Sequence, residues 1–251
     1  MTKLNKLGFF ASIITIFLFN ANSIAAQGQL YRVKLIRAAP GDLLEVIEEL
    51  KSDISNYKDY GIEKPYLMRH SQGDQWDLLF IYPVKSLAKH FSSKSFRKKK
   101  KSKTLGKIYG DRFYKKISSH QEAFFAGPSK DIFSKWFEEF SYYHVEIFTS
   151  LAGKQKELLK QRQMENIYLT ELKRRPNLIF TKITGGQWDI FTIGFYKNLK
   201  DYASSGDHNS ADDRERAAKK AGFESTSTIG SYLREFLLEH HDTLAGAVRS
   251  N

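Results

Sequence analysis

Apolar and polar residues alternate in two short segments whose patterns match closely. In residues 31–35 the apolar side chains are separated by Arg32 and Lys34, and in residues 143–147 they are separated by His144 and Glu146. A period of two is typical of a strand with one buried face. We therefore expect a half-buried strand at each place, with these four residues on its other face.

Each strand is followed by the same succession of patterns. Apolar residues recur three and four positions apart after Gly41, which predicts an amphipathic helix, and the matching stretch of the second segment repeats this less regularly. Glycine at 73 and at 185 then separates two apolar segments in each copy, as in a hairpin. A second helical region begins at Ser86 and at Asn198. The predicted final strands are residues 120–128 and 240–248.

The two successions are also similar in sequence. Residues 31–93 align on residues 143–205 without a gap, and both contain a Gln-Trp-Asp triplet at 75–77 and 187–189. The element order β-α-β-β-α-β occurs twice, which is the ferredoxin-like arrangement. We predict an α+β protein of two tandem ferredoxin-like units packed sheet to sheet around a cavity, so that one monomer forms a pseudo-dimer. The predicted organisation is a first unit at 29–128, a connecting helix at 129–141 and a second unit at 142–251.

The element order and the two Gln-Trp-Asp strands resemble the dimeric α+β barrel group, which includes the antibiotic-biosynthesis-monooxygenase, NIPSNAP and EthD families. The resemblance covers nearly all of residues 29–248 and implies an intramolecular version of that barrel. The group contains cofactor-free oxygenases, haem-binding and haem-degrading proteins, isomerases, cyclases and dehydratases. The resemblance therefore implies a fold, leaves haem open as a cofactor and does not select an activity.

The first 26 residues have the composition of a secretory signal peptide. Lys3 and Lys6 precede an apolar run at 7–19, and small residues including Ala25 and Ala26 follow. The run is shorter than the roughly 20 residues that span a bilayer. We expect cleavage after this leader and a periplasmic or secreted protein.

Charge and cysteine content restrict the function further. The chain has no cysteine, which excludes disulfides, a thiol nucleophile and thiolate metal ligands. Its net charge of +12 lies almost wholly in the first half, largely in a Lys/Arg run at 97–107 that includes Lys98–Lys101. A solvated loop accounts for such a run, and so does a surface for an anionic glycan or a membrane. Export argues against nucleic acid as a partner.

Acid–base chemistry is predicted from repeated histidine and carboxylate positions. His120 precedes Glu122 by two residues, His240 precedes Asp242 by two, and on a strand each pair shares a face. A carboxylate can orient an imidazole as a general base, while a histidine could alternatively ligate haem iron. Asp77 and Asp189 could serve as further bases or could instead tie down neighbouring turns.

The remaining candidates are polar residues expected to line the cavity and bind a small, possibly anionic molecule. The predicted catalytic residues are His240, Asp242, His120, Asp77 and Asp189, and the predicted ligand-binding residues are Gln75, Gln187, Arg32, His144, Arg69 and Tyr143. The leading hypothesis is an acid–base enzyme of lyase, isomerase or cofactor-free monooxygenase type. The alternatives are a haem protein of the same fold and a non-catalytic binder of anionic glycan or membrane. No metal site is predicted.

Overall fold

The structure is a computed structural model that describes residues 28–54, 57, 63–95, 97 and 110–249. The predicted leader and nearly all of the Lys/Arg run lie outside the described residues. Among the described residues, no helix has the length and apolar content needed to cross a membrane.

The described strands form one closed antiparallel barrel. They are β1 (Gln29–Ala38), β2 (Tyr66–Gly73), β3 (Leu78–Val84), β4 (Ile117–Gly127), β5 (Tyr142–Ser150), β6 (Leu178–Gly185), β7 (Ile190–Tyr196) and β8 (Leu237–Ala247). Their order around the barrel is β1-β3-β2-β8-β5-β7-β6-β4.

Helices connect the strands on the outside of the barrel. They are α1 (Leu43–Ile54), α2 (Leu87–His90), α3 (Asp111–Tyr114), α4 (Lys130–Glu139), α5 (Gln155–Glu171), α6 (Leu199–Ala203), α7 (Ala211–Ala221) and α8 (Ile229–Arg234), with a short 3-10 turn at Thr226–Thr228. Ser86 and Asn198 cap the N-termini of α2 and α6 through their side chains, at the two places where the sequence predicts a second helical region.

The two halves of the chain join at their sheet edges. Each half places its four strands in the same order, and the halves meet where β2 pairs with β8 and where β4 pairs with β6. The expected packing of two sheets into one intramolecular α+β barrel is what the structure shows at this level, with the two sheets joined edge to edge. Closure leaves no edge unpaired among the described strands.

The expected cavity between the sheets is filled by apolar side chains. The first, third and fifth residues of each alternating segment point inward, as the period of two predicts. Most of the inward-facing residues are aromatic or branched, including Tyr31, Val33, Phe125, Tyr143, Val145, Phe180, Phe191 and Ile193. The prediction of a ligand site inside the barrel is therefore wrong, because the interior is a packed core.

Aromatic side chains close both ends of the barrel. At one end, Phe133 of α4 packs against the rings of Tyr31, Tyr66 and Phe180, at centroid distances of 5.7, 4.2 and 5.6 Å. At the other end, Trp76 and Trp188 follow β2 and β6 and are buried in the same core. Any site must therefore lie on the outside, between the strands and the helices that cover them.

Candidate functional site

A cluster of polar side chains lies on the outer face of β5 and β8, opposite to the packed core. His144 and Glu146 alternate with inward-facing residues of β5, and His240 and Asp242 do the same on β8. In the register of this strand pair Glu146 lies opposite Asp242, and His240 lies opposite Phe148. Two strands distant in sequence thus bring four acid–base groups together.

Both imidazoles in the cluster face the same carboxylate. Nε2 of His144 lies 2.9 Å from Oδ1 of Asp242, and Nε2 of His240 lies 3.6 Å from Oδ2. The ring of His240 is stacked on Phe148 with a centroid distance of 4.6 Å, which fixes its plane. The side chain of Asp242 is 55% exposed, so the cluster opens to solvent at this residue.

The carboxylate of Glu146 lies behind the histidines and is buried. It accepts hydrogen bonds from Thr192 Oγ1 at 2.7 Å and from Asn177 Nδ2 at 3.4 Å, and Arg162 Nη1 of α5 lies 3.3 Å away. Burial disfavours its charged form, but His240 and Arg162 outweigh burial and hold the pKa of Glu146 well below its usual range. A stable negative charge therefore lies next to both imidazoles, with His240 Nε2 3.6 Å from Oε1.

This environment favours the protonated form of His144. Burial alone would lower the pKa of His144, but the hydrogen bond with Asp242 and the charge of Glu146 outweigh it and raise the pKa. The cluster thus places a histidine whose protonated form is favoured beside a second imidazole held by the same carboxylates. Such a pair can move protons to and from a bound molecule.

The cluster also has the composition of a metal site. One ligand atom from each of His144, Glu146 and Asp242 lies within 4.8 Å of the others. However, Glu146 is already paired with Arg162 and accepts a hydrogen bond from Thr192, and the surroundings that favour the protonated form of His144 disfavour the neutral form that a metal would need. The arrangement therefore suits proton transfer better than metal binding.

The three candidate histidines do not fit haem. Nε2 of His144 and of His240 faces carboxylates, where an axial ligand would face an apolar slot. His120 is exposed on β4 beside a recess of about 160 Å³, which is small against the 300–1,000 Å³ typical of ligand pockets. These residues supply no haem pocket.

The first half carries a different polar pair at the matching positions. Arg32 on β1 forms an ion pair with Glu122 on β4 at 2.6 Å, and Lys34 is buried where β5 carries Glu146. The ring of His120 packs against that of Tyr114 in a tilted arrangement, at a centroid distance of 5.4 Å. The structure thus unites His144, His240 and Asp242 in one cluster and leaves His120 outside it.

The two aspartates of the Gln-Trp-Asp triplets bind the backbone. Oδ2 of Asp77 accepts a hydrogen bond from Ala38 N at 2.7 Å, and Oδ2 of Asp189 accepts one from Ser150 N at 2.9 Å. Ala38 and Ser150 each follow a register shift at the end of a strand. Both aspartates therefore stabilise irregular strand ends, the alternative that the sequence left open, and neither lies in the cluster.

The other predicted ligand-binding residues lie away from the cluster. Gln75, Gln187 and Arg69 are exposed. Tyr143 is fully buried in the barrel core, and its hydroxyl donates to Phe140 O at 2.8 Å. A structural role accounts for Tyr143.

Two residues of the cluster were not predicted as site residues. The sequence pattern identified Glu146 only as the counterpart of Lys34, and it did not identify Arg162 at all. Arg162 and Gln161 lie on the buried side of α5, which explains why the apolar stripe of that helix is irregular. The irregular stripe was the feature of the sequence that could have indicated buried polar residues on this helix.

Comparison with known proteins supports the fold. No protein-family model matches the chain, and no curated protein matches it. Among solved structures it is similar to an anthrone oxidase-like protein, with a TM-score of 0.56, 11% identity, and coverage of 88% of this chain and 91% of the other. A mutant chlorite dismutase from Candidatus Nitrospira defluvii gives 0.49 at 11% identity (88% and 93% covered), and a haem-binding protein from Thermus thermophilus gives 0.43 at 8% identity (88% and 91% covered).

These findings define the class of protein by its fold. The chain is an α+β protein with an eight-stranded antiparallel barrel of the dimeric α+β barrel type. At about 11% identity the similarity establishes the architecture alone, and the chemistry has to be argued from the cluster on β5 and β8.

Proposed function

We propose that the chain is an acid–base enzyme acting on a small molecule at the outer face of β5 and β8. The observation that carries this proposal is the convergence of two imidazole Nε2 atoms on the half-exposed carboxylate of Asp242. A lyase, an isomerase or a cofactor-free monooxygenase could use such a pair. Each of these reactions moves a proton at carbon or oxygen without requiring a bound cofactor.

The residues of the cluster have distinct proposed roles. His144 donates a proton, because its neighbours favour the imidazolium form. His240, held between Phe148 and the two carboxylates, accepts a proton from the substrate. Arg162 and Glu146 are positioning residues, since they form a buried pair behind the imidazoles.

Proton exchange at carbon tests this function without knowledge of the substrate. The mature chain would be incubated in D₂O with a panel of enolisable ketones, phenols and lactones, and deuterium incorporation would be followed by NMR. We expect accelerated exchange of at least one compound, reduced about 100-fold by His144→Ala and by His240→Ala.

His120→Ala is the matched control, because His120 occupies the corresponding position on β4 outside the cluster. This variant should exchange like the wild type. An equal loss in all three variants, or none in the two cluster variants, would contradict the proposal. Zn²⁺ that raises the melting temperature of the wild type but not of His144→Ala would assign the cluster to a metal instead.

Three further expectations from the sequence remain proposals. The basic leader with its apolar run supports export to the periplasm or beyond, and closure of the barrel within one chain supports a monomer. The gapless alignment of residues 31–93 on residues 143–205 supports an origin of the two halves by duplication. The resemblance to the NIPSNAP family remains a proposal as well.

The Lys/Arg run at 97–107 supports a second, non-catalytic function as a binder of anionic glycan or membrane surface. Heparin retention that is unchanged after neutralising Lys98–Lys101 would remove that support.

A further inference from the structure

We infer that a groove beside the second half of the barrel is a binding site for a small organic anion. The groove has a volume of about 1020 Å³ and lies between the end of α5, the end of β7, α6 and α7. The residues that matter for this inference are Lys173, Arg174, Lys197, Ser205, Tyr196 and Phe195, all of which line it. The proposed acid–base activity is not required for it.

The charges of the groove are unbalanced in favour of an anion. Its carboxylates are engaged within the protein: Glu171 pairs with Lys220 at 2.8 Å, Glu139 with Arg175 at 3.8 Å and Asp213 with Arg216, while Asp201 Oδ2 accepts from the backbone N of Lys197 at 2.8 Å. In the described part of the chain, the side chains of Lys173, Arg174 and Lys197 form no ion pair. Three cationic groups outside ion pairs therefore face one carboxylate, Asp201, that pairs with no cationic side chain, which leaves an excess of positive charge for a ligand.

Arg174 is held in position without a carboxylate. Its Nη2 donates a hydrogen bond to Ser205 Oγ at 3.0 Å. Burial raises the pKa of the neighbouring Tyr196, against the opposing charge of Arg174, so this phenol remains a neutral hydrogen-bond donor. An arginine fixed in this way loses little freedom when it binds a carboxylate or a phosphate.

The backbone at Lys173 is unusual for a lysine. Among the described residues it is the one non-glycine with a positive φ, at 58°. It follows the last turn of α5, where Lys173 N donates to Thr170 O at 2.9 Å and Arg174 N donates to Leu169 O at 2.8 Å. Glycine is preferred at this position, and Gly222 occupies it after α7 with φ of 95°. Lys173 thus places a side chain at the edge of the groove although its backbone conformation favours glycine.

Two aromatic side chains border the groove but offer it little surface. Phe140 and Phe195 are each only 4% exposed, and Arg175 covers Phe140 with its guanidinium carbon 4.3 Å from the ring centroid. A suitable ligand is therefore a small organic molecule held through its carboxylate, sulfate or phosphate group. Benzoate, phenyl sulfate and phenyl phosphate represent this chemistry.

The groove is separate from the histidine cluster. Tyr196 packs on Tyr202 with a centroid distance of 5.0 Å, and Tyr202 packs on His144 at 5.4 Å. Two rings therefore lie between the groove and the imidazole. Binding in the groove should not depend on His240.

Calorimetric titration at low salt with the three phenyl anions, and with benzamide as the neutral control, tests the inference. We expect the wild type and His240→Ala to bind at least one anion and not benzamide. Lys173→Gly and Arg174→Gln should each weaken binding about tenfold. Lys219→Gln is the charge-matched control, because Lys219 pairs with Glu215 on α7 and is absent from the groove lining.

Lys173→Gly also separates the inference from a purely structural role at the C-terminus of α5. Glycine relieves the backbone, so this variant should melt at a higher temperature whichever role is correct. A higher melting temperature with unchanged anion affinity would overturn the inference. Equal binding of benzamide and the anions, or no binding of any probe by the wild type, would overturn it too.

Discussion

Single residues account for the difference in charge between the outer strand faces of the two halves. Position 34 on β1 and position 146 on β5 correspond, yet one is a buried lysine and the other a buried glutamate. Lys34 Nζ donates to Tyr114 Oη at 3.1 Å and lies 4.8 Å from the centre of that ring. The same strand position thus supports opposite charges, and only the second half gathers two histidines around its charge.

The buried Lys34 should make stability depend on alkaline pH. Burial, followed by the charge of Arg32, lowers the pKa of Lys34 from 10.5 to about 8. Between these values the unfolded chain binds more protons than the folded chain, so the free energy of unfolding should rise with pH. The full rise should be about 3 kcal/mol at most.

Urea unfolding at pH 7.5 and at pH 10 measures this effect, with Lys34→Met as the comparison. The variant lacks the titrating group and should lose this part of the rise, which leaves it relatively more stable at the lower pH. Parallel pH profiles for both proteins would show that Lys34 keeps an ordinary pKa.

At the scale of elements, the sequence patterns predicted most strands and the first helix of each half. Periods of two succeeded because every strand has one face in the barrel core. The predicted final strands, 120–128 and 240–248, correspond to β4 and β8, which begin three residues earlier in each case. β4 begins with Ile117 and β8 with Leu237, but the polar residues that follow them interrupt the apolar pattern.

The candidate site was less predictable than the elements. His240 and Asp242 were identified by their spacing, and His144 by its place on a strand. Their mutual contact depends on the register of β5 with β8, which a single sequence does not reveal. Arg162 reaches the cluster from a helix, and burial of a cation depends on a partner that only the tertiary structure supplies.

The repeated aspartates provide a test at the element scale. Asp189 accepts hydrogen bonds from both N and Oγ of Ser150 and pairs with Lys182 at 2.9 Å, whereas Asp77 accepts one from Ala38 N. Asp189→Ala should therefore cost about 2 kcal/mol of stability and Asp77→Ala about 1 kcal/mol. Chemical denaturation measures both values.

Neither aspartate variant should change proton exchange per folded molecule, because both side chains lie outside the cluster. Lost exchange with unchanged stability would return Asp77 or Asp189 to the list of catalytic candidates.

For the whole molecule, the decisive feature is that the barrel is full. Two amphipathic sheets make a cavity between them a reasonable expectation. The apolar pattern alone, however, does not show whether the combined volume of the inward-facing side chains fills the space between the sheets. Here aromatic residues from both halves and from α4 occupy the interior. A catalytic or binding site is consequently expected on the outer faces of the barrel.

Phe133 should be a main determinant of global stability. It is fully buried and contacts rings on β1, β2, β6 and β7. Phe133→Ala should cost about 3–5 kcal/mol. Ile132→Ala on the same helix is the control, because Ile132 is 46% exposed and should cost less than about 0.5 kcal/mol.

Thermal or urea unfolding followed by tryptophan fluorescence reports both variants. Similar losses for the two would show that α4 does not close the barrel through Phe133.

The two seams, β2 with β8 and β4 with β6, decide what either half can do alone. A fragment ending after β4 would keep its own strand order but expose two unpaired strand edges and one apolar sheet face. Such a fragment would recover the missing hydrogen bonds by pairing with a second copy of itself. In that homodimer both halves would carry Lys34, and no half would carry the glutamate found at position 146. Opposite charges on the two outer faces therefore require that both halves belong to one chain.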